Sequence, residues 1–452
     1  MGILGALSTA VSGLSAQSYA LENISGNIAN STTVGFKRVD TSFVDLIPDT
    51  PLKSEAAGSV QSYSQLTNTL QGTLKSTGVS TNMALSGDGY FTVSQNTGST
   101  AAPVFTSSNL YTRRGDFSLD AKGYLVNGSG YYLDGTTYNP STGAATGAAN
   151  SPIQISGGDI PAKMTTTVSY SGNLPFTPKT GKYSPSTSGS ELLNPADFTS
   201  NPVTTGKVTG ADSATFLNES IAGGEVSVYN SAGASPTVQL RWAKTASSSS
   251  GGTDTWHLYY QSSSTATGTQ TAWTDVGTPV TFNSSGVMTS ATPITVSNLT
   301  VDGTAIGNVS LDLSGGLTQF ASSAGTANPT ISQNGYTSGS LSSVAVNSDG
   351  SVSGTYTNGQ SVKLGQVTVA HFAANDALKR ENGGAYSATA DSGTPTYGLN
   401  GTTLTGGSVE QSNTDISDEF SKMIVTQQAY SANTKVMSTA QQMLQDVINI
   451  LR

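Results

Sequence analysis

Apolar side chains recur with a helical period at both ends of this chain, and they follow a different pattern between them. In the first segment the apolar residues fit the a and d positions of a heptad repeat, which also passes through Ser18 and Ser25. The apolar members are Leu4, Leu7, Val11, Leu14, Leu21 and Ile28. This pattern predicts a long amphipathic helix at the N-terminus.

A second apolar seam runs along the last forty residues or so, and Gln427, Thr434 and Gln441 interrupt it. Its apolar members are Ile416, Phe420, Met423, Tyr430, Met437, Leu444, Ile448 and Leu451. A Ser-x-x-Asp sequence from Ser412 to Asp415 is a start signal for this helix. The two seams predict helices that pair with each other and with neighbouring copies, so their apolar residues are the candidate polymer interface.

The surface of the first helix outside the seam is almost uncharged, because Glu22 is the only charged residue from Met1 to Phe36. A solvated helix normally carries a charged outer face. Small uncharged groups can be covered at little desolvation cost, so this surface favours burial in an assembly. The alternative, an intramolecular helix pair at the edge of one domain, predicts charges outside the seam. No membrane span is expected, since a span needs about 20 apolar residues in a row.

Between the predicted helices the hydrophobic period changes to two. Alternating runs at residues 90–93, 117–119, 124–126 and 131–133 are separated by turn signals such as Asp88-Gly89 and Asn127-Gly128. The same pattern resumes after about residue 309, whereas residues 167–309 are richer in Ser, Thr and Gly. These observations predict one antiparallel β-domain with a second β-domain inserted into it.

The sequence therefore predicts an α+β multidomain protein with four parts. Residues 1–30 with 412–452 are expected to form a discontinuous α-helical coiled-coil domain. Residues 31–75 with 385–411 are polar and weakly patterned, which predicts a linker with flexible joints. Residues 76–166 with 310–384 are the expected first β-domain, and residues 167–309 are the expected inserted outer β-domain.

Composition excludes several classes of function. The net charge is −9, so the broad basic surface that nucleic-acid binding requires is missing and no nucleic-acid partner is expected. The chain has no cysteine, which excludes disulfides and thiolate metal sites. The N-terminus lacks the features of a secretory signal. Taken alone this favours a cytoplasmic protein, although export by a route that leaves the N-terminus intact stays open.

Catalytic signals are weak throughout the sequence. The two histidines, His257 and His371, lie outside any metal-binding spacing and are expected to be ordinary strand residues. Segments 86–90 and 128–130 are glycine-rich but lead into no predicted helix, so they are expected to be turns and not phosphate loops. A carboxylate pair for glycoside cleavage stays open, because nothing selects one pair among the 28 acidic residues. We expect no enzyme activity and no cofactor.

Several segments in combination resemble the axial proteins of the bacterial flagellum, and most closely the flagellar hook proteins. The matching motif residues are Asn23, Asn27, Asn30, Gly35, Phe36, Tyr111, Arg113, Gly115, Phe117, Ser412, Asn413 and Asp415. The resemblance covers roughly residues 1–165 and 310–452. One departure is Asn413-Thr414-Asp415, where the family usually has Asn-Val-Asp. The terminal helices alone would also suit rod proteins, but the large middle insert favours the hook.

This resemblance implies a structural subunit that self-assembles into a curved, flexible tube, couples the motor rod to the filament and transmits torque as a universal joint for motility. It also implies contacts with rod, hook-cap and hook–filament junction proteins and with the flagellar export apparatus. The expected location is extracellular, after type III export without a cleaved signal peptide. One alternative is a distal rod subunit of the basal body. An alternative of another class is a secreted β-rich glycan-binding adhesin or hydrolase.

Overall fold

The structure is a computed structural model that describes residues 3–46, 59–99, 102–106 and 110–450. The chain divides into two compact units. Unit 1 contains Met1–Gly158 and Leu341–Arg452, and unit 2 contains Asp159–Ser340. Most of the described elements are β-strands, and the two long helices lie at the ends of the chain.

The N-terminal part of unit 1 begins with helix α1 (Ile3–Ala29), which ends where polar residues interrupt its helical period. Ten strands follow: β1 (Val39–Leu46), β2 (Ser59–Leu66), β3 (Leu74–Ser76), β4 (Met83–Ser86), β5 (Tyr90–Gln95), β6 (Leu110–Thr112), β7 (Phe117–Leu119), β8 (Leu125–Asn127), β9 (Tyr131–Thr137) and β10 (Ser151–Pro152). The chain turns between β4 and β5 and between β8 and β9 at the predicted turn sequences Asp88-Gly89 and Asn127-Gly128.

Unit 2 contains two short helices, α2 (Pro202–Thr205) and α3 (Ser213–Glu219). Its strands are β11 (Thr167–Pro175), β12 (Lys207–Thr209), β13 (Ile221–Ser227), β14 (Thr237–Ala246), β15 (Asp254–Gln261), β16 (Thr271–Asp275), β17 (Val280–Phe282), β18 (Ile294–Val301), β19 (Thr304–Asp312), β20 (Leu317–Phe320) and β21 (Asn328–Gln333). The alternation of buried and exposed positions along β18 and β19 shows that one sheet face packs on the core.

The chain then returns to unit 1. The returning strands are β22 (Leu341–Val346), β23 (Ser351–Tyr356), β24 (Ser361–Val367), β25 (Val369–His371), β26 (Lys379–Arg380), β27 (Ala385–Ser387), β28 (Thr396–Tyr397), β29 (Thr403–Gly406) and β30 (Ser408–Glu410). The last element is helix α4 (Ile416–Ile450). Short 3-10 turns lie at Asn375–Ala377 and Asn382–Gly384.

The main sheet of unit 1 combines strands from both parts of the chain. Its order is β22-β23-β24-β9-β5-β6-β27-β26, so β9, β5 and β6 lie between strands that come more than 200 residues later. All the pairs along this path are antiparallel. Phe91 and Phe117 form an edge-to-face pair in its core, with ring centroids 5.7 Å apart. Unit 1 therefore cannot complete its sheet until the C-terminal strands are present.

Unit 2 is built from two sheets that share one core. One sheet has the order β18-β19-β11-β20 and the other β12-β16-β15-β14-β13. Tyr170 of the first sheet accepts a 2.8 Å hydrogen bond from the indole N–H of Trp242 in the second, and both side chains are buried. This pairing satisfies a buried polar group on each ring, as close packing in a core requires.

The predicted coiled-coil domain is wrong. The terminal helices are single helices within unit 1, and α1 packs against the β1–β2 hairpin as well as against α4. Several large apolar residues of the predicted seams are exposed, whereas the buried residues of α1 are mostly small. The β-rich middle does form, but the protein as a whole is mostly β-structure with helices at its ends.

The four-part domain division stays a prediction. The two compact units meet in sequence at residues 158/159 and 340/341, outside the predicted insert boundaries of 167 and 309. Strands β1, β2 and β3 and strands β27 to β30 lie in the segments predicted as a linker. These strands form because their polar segments hydrogen-bond to other strands, several of them distant in the sequence. A local hydrophobic pattern contains no signal of such pairing.

Candidate assembly interface

Helices α1 and α4 run antiparallel and approach closely through small residues. An added Cβ at Gly13 would lie 2.9 Å from the Asn433 side chain, and near the other end Asn27 Nδ2 donates a 3.0 Å hydrogen bond to Glu419 Oε2. The other buried residues of this α1 face are Ala10, Ala16, Ala20 and Ile24. Small side chains let two helix backbones approach, as Gly13 does at Asn433.

The predicted α1 seam residues lie beside this contact. Leu4 and Val11 are exposed, with 71% and 50% of their surface accessible, whereas Leu7, Leu14, Leu21 and Ile28 are half-buried. The heptad pattern selects the largest apolar residues, because these usually occupy a and d positions. Ala10, Gly13, Ala16 and Ala20 recur at three- and four-residue spacing along the buried face, and this is the sequence signal that indicates it.

The predicted α4 seam residues divide in the same way. Met423, Met437 and Leu444 are half-buried, whereas Ile416, Phe420, Tyr430 and Ile448 are exposed. Leu451 lies outside the described residues. Five further apolar residues of α4, which the sequence pattern did not single out, are also exposed: Ile424, Val425, Val436, Met443 and Val447. Exposed apolar side chains therefore lie on α4 beyond the predicted seam.

Asparagine side chains of α1 hold the β1–β2 hairpin. Asn23 donates to Thr41 Oγ1 over 2.8 Å, and Asn27 donates to the Val39 carbonyl and accepts from the Val39 N–H, both over 2.9 Å. Asn30 donates to the Gly26 carbonyl over 2.9 Å at the end of the helix. The three asparagines of the family motif thus fix how the chain leaves α1.

A charged pair joins the same hairpin to α4. Lys422 Nζ lies 2.9 Å from Glu419 Oε1 and 3.1 Å from Asp40 Oδ1. Burial opposes the charged form of Lys422, but the hydrogen bonds to Glu419 and Asp40 outweigh it and raise the lysine pKa. Glu419 is itself fully buried, so Lys422 and Asn27 together supply the partners that a buried carboxylate needs.

The motif at residues 111–117 lies in the core of unit 1. Tyr111 packs edge-to-face on Phe372, with ring centroids 4.7 Å apart. An added Cβ at Gly115 would lie only 1.6 Å from the Met83 carbonyl oxygen, so the backbones approach more closely than any side chain allows. Phe117 fills the core beside Phe91. These motif residues support the sheet and are not exposed for assembly.

Residues at the start of α4 cap the helix and tie it to the segment after α1. Asp415 Oδ1 accepts from the Ser417 and Asp418 N–H groups over 2.8 and 3.4 Å, so Asp415 supplies the capping side chain. Asn413 accepts from the Arg38 N–H over 2.7 Å and donates to the Leu70 carbonyl over 3.1 Å. Ser412 accepts from the Thr414 N–H over 3.2 Å.

Gly35 and Phe36 complete this junction. Gly35 has φ +67°, a conformation that favours glycine, and its N–H donates to the Glu410 carbonyl over 2.8 Å. The guanidinium of Arg380 lies 5.0 Å from the centroid of the Phe36 ring. Motif residues from both ends of the chain thus meet at one place, between the helices and the sheet.

Each of the two histidines has a local hydrogen-bond partner. His257 Nδ1 lies 2.7 Å from Asp275 Oδ2 and His371 Nε2 lies 2.9 Å from the Gly398 carbonyl oxygen, so each pairs locally. Among the described residues, no group of three or more His, Asp or Glu side chains is placed to hold a metal ion. Nor does any helix in the described part of the chain have the length and apolar character of a membrane span.

Family models match four segments of the chain. Residues 7–37 match the flagella basal body rod protein, residues 84–174 the flagellar hook protein FlgE/F/G D1 domain, residues 218–336 the flagellar basal body protein FlaE D2 domain, and residues 405–450 the flagellar basal body rod FlgEFG protein C-terminal region. Together these matches extend over both units.

Whole-length relatives agree with these matches. The flagellar hook protein FlgE of Salmonella typhimurium is 32% identical, over 98% of this chain and 99% of its own. FlgE of Escherichia coli is 32% identical over 98% of this chain and 100% of its own, and that of Brucella abortus is 29% identical over the full length of both. A crystal structure of Helicobacter pylori flagellar hook protein FlgE2 aligns with a TM-score of 0.49 at 16% identity, covering 73% of this chain and 98% of that chain. The chain belongs to the flagellar hook protein family and is a structural protein of the flagellar hook and basal body.

Proposed function

We propose that this chain polymerises through its terminal helices into the curved, flexible tube of the hook, which joins the motor rod to the filament and transmits torque. The observation that carries the proposal is the exposed apolar surface of α1 and α4, in a chain of the hook family. A monomer rarely leaves so much apolar helix surface in water unless it is an interaction site.

The energetics favour burial of this surface in an assembly. Covering one large apolar side chain contributes roughly 1.5–3 kcal/mol. Leu4, Val11, Phe420 and Ile448 all remain exposed in the single chain. The outer face of α1 carries one charge, at Glu22, so little charge must be desolvated when another copy covers it.

The unequal lengths of the two helices leave part of α4 for another copy. Helix α1 has 27 residues and α4 has 35. At about 1.5 Å per residue they extend roughly 41 and 53 Å, so α4 extends beyond α1 by roughly 12 Å. Its exposed residues Val447 and Ile448 lie in the terminal part of α4. A copy stacked along the tube axis would cover this extension.

Location and further partners belong to the same proposal. A hook subunit works outside the cell, so we propose export by the flagellar export apparatus without a cleaved signal peptide. At its two ends the tube would contact rod proteins and hook–filament junction proteins, with hook-cap proteins at the growing end. These partners follow from the place of a hook between the motor and the filament.

Electron microscopy of the purified chain under assembly conditions tests the proposal. We expect curved tubes from the full chain and none from a variant that lacks residues 1–25, because α1 supplies one half of the cohesive surface. Circular dichroism should show that the strands of the shortened variant remain folded. Tubes of normal diameter from that variant would contradict the proposed role of the helices.

A distal rod subunit is the second candidate, because residues 7–37 and 405–450 match models named for basal body rod proteins. The same images separate the two candidates. A rod is expected to be straight and a hook curved, so uniformly straight tubes would favour the rod assignment.

A further inference from the structure

Three charged side chains from distant parts of the chain meet in the interior of unit 1. Lys37 follows α1, Arg113 follows β6, and Glu410 is the last residue of β30. Their side chains are 1%, 2% and 0% exposed. We call these three residues the charge cluster. Charged side chains are almost never buried this deeply unless they are paired, so the contacts among these three residues decide whether their burial is tolerated.

Glu410 is the common partner of both cations. Lys37 Nζ lies 2.6 Å from Glu410 Oε1, and Arg113 Nη1 lies 3.5 Å from Glu410 Oε2. Glu410 Oε1 also accepts the Gly72 N–H over 2.9 Å. Two buried cations therefore share one buried anion, and removal of Glu410 would leave both without a counter-charge.

The remaining contacts of the cations hold them in place. Lys37 Nζ donates to the Leu70 carbonyl over 2.6 Å, and Arg113 Nη2 donates to the Gly87 carbonyl. The Arg113 guanidinium lies 5.0 Å from the centroid of the Tyr90 ring. Burial lowers the pKa of Lys37, and Glu410 opposes this effect. Glu410 thus favours the charged form of Lys37.

Backbone hydrogen bonds join the same segments around the charge cluster. The Gly35 N–H donates to the Glu410 carbonyl over 2.8 Å, and the Gln411 N–H donates to the Thr73 carbonyl over 2.9 Å. Strand β3 pairs with β30 in the register Leu74 to Glu410. An added Cβ at Gly35 would lie 2.7 Å from the Arg114 nitrogen, so this approach has no space for a larger residue.

We propose that the charge cluster is a conformational lock, which fixes the C-terminal end of α1 and the N-terminal end of α4 in one orientation on the sheet of unit 1. The lock closes only when all three segments are in place, because loss of Glu410 leaves two buried cations without an anion, and loss of either cation removes a charged partner of the Glu410 carboxylate. Residues 33–38 and 407–413 are then a rigid connector. This differs from the sequence-based expectation of flexible joints throughout residues 31–75 and 385–411.

The inference goes beyond the proposed function, because it concerns how the helices are held within one chain. In a tube, a rigid connector would pass torque from the helices to the sheet of unit 1, and this consequence alone rests on the proposed function. Bending of the tube would then have to occur outside the connector.

Hydrogen exchange measured by mass spectrometry on assembled tubes tests the lock with Glu410→Gln. This variant keeps the side-chain shape but leaves Lys37 and Arg113 without an anion. We expect amide exchange in residues 33–38 and 407–413 to rise at least tenfold, with β5 unchanged. The matched control is Asp116→Asn, which removes the carboxylate from the partly exposed Arg114–Asp116 pair, 2.8 Å long, on the same motif. The control should exchange like the original protein.

A second variant keeps the test decisive if Glu410→Gln does not fold. Lys37→Met leaves one cation and one anion, so it should loosen the same two segments by a smaller factor. Unchanged exchange in both segments for whichever variant folds would overturn the lock, and so would an equal rise in β5. If a variant keeps β5 protected but no longer forms tubes, exchange is compared on the soluble chains of the variant and the original protein, and a rise in residues 33–38 and 407–413 alone supports the lock. If the original protein forms no tubes, the proposed function fails, and the same comparison is made on the soluble chain.

Discussion

At the scale of single residues, close backbone approach in unit 1 depends on glycine. The Met83 N–H donates to the Gly115 carbonyl over 2.9 Å, while the Met83 carbonyl oxygen lies where a Cβ on residue 115 would be. This contact brings the start of β4 against the motif at residues 111–117. Position 115 therefore requires glycine, because the Met83 backbone leaves no space for a Cβ.

Gly115→Ala should destabilise unit 1 by about 2–4 kcal/mol, because the two backbones must separate to admit a methyl group. Urea unfolding followed by far-ultraviolet circular dichroism measures the change. Gly157→Ala is the matched control, since nothing lies within 4 Å of a Cβ at Gly157. Equal stability of the two variants would contradict this account of Gly115.

A buried carboxyl group makes the stability of unit 1 depend on pH. Asp134 is fully buried, and Ser94 Oγ donates to its two oxygens over 2.7 and 2.9 Å. Burial raises the pKa of Asp134 to about 7, and the hydrogen bond from Ser94 only partly opposes this. In the unfolded chain the pKa of an aspartate is about 3.9.

The stabilisation from protonated Asp134 is therefore fully present below about pH 4 and is lost as the pH rises through about 7, because the unfolded state releases its proton first. Asp134→Asn should remove this dependence, which amounts to about 2–4 kcal/mol, and should make unit 1 more stable than the original protein at pH 8. Urea unfolding at a series of pH values measures it. Ser94→Ala should shift the loss to higher pH, and an unchanged pH profile in Asp134→Asn would refute the assignment.

At the scale of elements, each terminal helix presents two kinds of surface. The buried face of α1 consists mostly of small residues and includes the close approach of Gly13 to Asn433 of α4, whereas Leu4 and Val11 remain exposed. A helix with one apolar stripe can pack on one partner only. Because α4 carries exposed apolar residues beyond its predicted seam, the proposed contacts with other copies leave its contact with α1 intact.

Phe420→Asp should abolish tube formation while leaving the stability of the single chain within about 0.5 kcal/mol. Phe420 is exposed in the single chain, and an aspartate near the N-terminus of α4 does not oppose the helix dipole. In a tube the charge would be buried without a partner. Sedimentation and electron microscopy measure assembly. Gln428→Asp, an exposed polar site on the same helix, should still assemble, and tubes from Phe420→Asp would exclude this residue from the interface.

At the scale of the whole molecule, the first and last residues of unit 2 lie next to each other. Ile160 and Gly339 are paired antiparallel, and the Ile160 N–H donates to the Gly339 carbonyl over 2.9 Å. The sheet of unit 1 contains no strand from residues 159–340. Unit 2 is therefore an insertion that a short turn could replace.

Replacement of residues 161–338 by a short Gly-rich turn should leave unit 1 folded and still able to form tubes, because the helices and their exposed apolar residues are retained. Electron microscopy of the shortened chain, with circular dichroism for folding, measures both. If the shortened chain folds but does not assemble, unit 2 supplies an essential contact between copies.

Local sequence pattern determined much of this protein. The helical and alternating periods indicated both long helices and a β-rich middle region, because side-chain period follows directly from backbone geometry. The motif residues indicated the family. The nearly uncharged surface of α1 was also visible in the sequence, since it depends only on composition along one segment.

Tertiary structure alone decided which helix face is buried and where the charged residues meet. The buried positions Ala10, Gly13 and Ala20 are small, and Gly13 meets Asn433 of α4 at close range, whereas the heptad rule selects large residues. Lys37 and Glu410 are 373 positions apart, and their pairing leaves no periodic signal in either segment. Contacts of this kind arise only when the chain folds and brings its two ends to the same place.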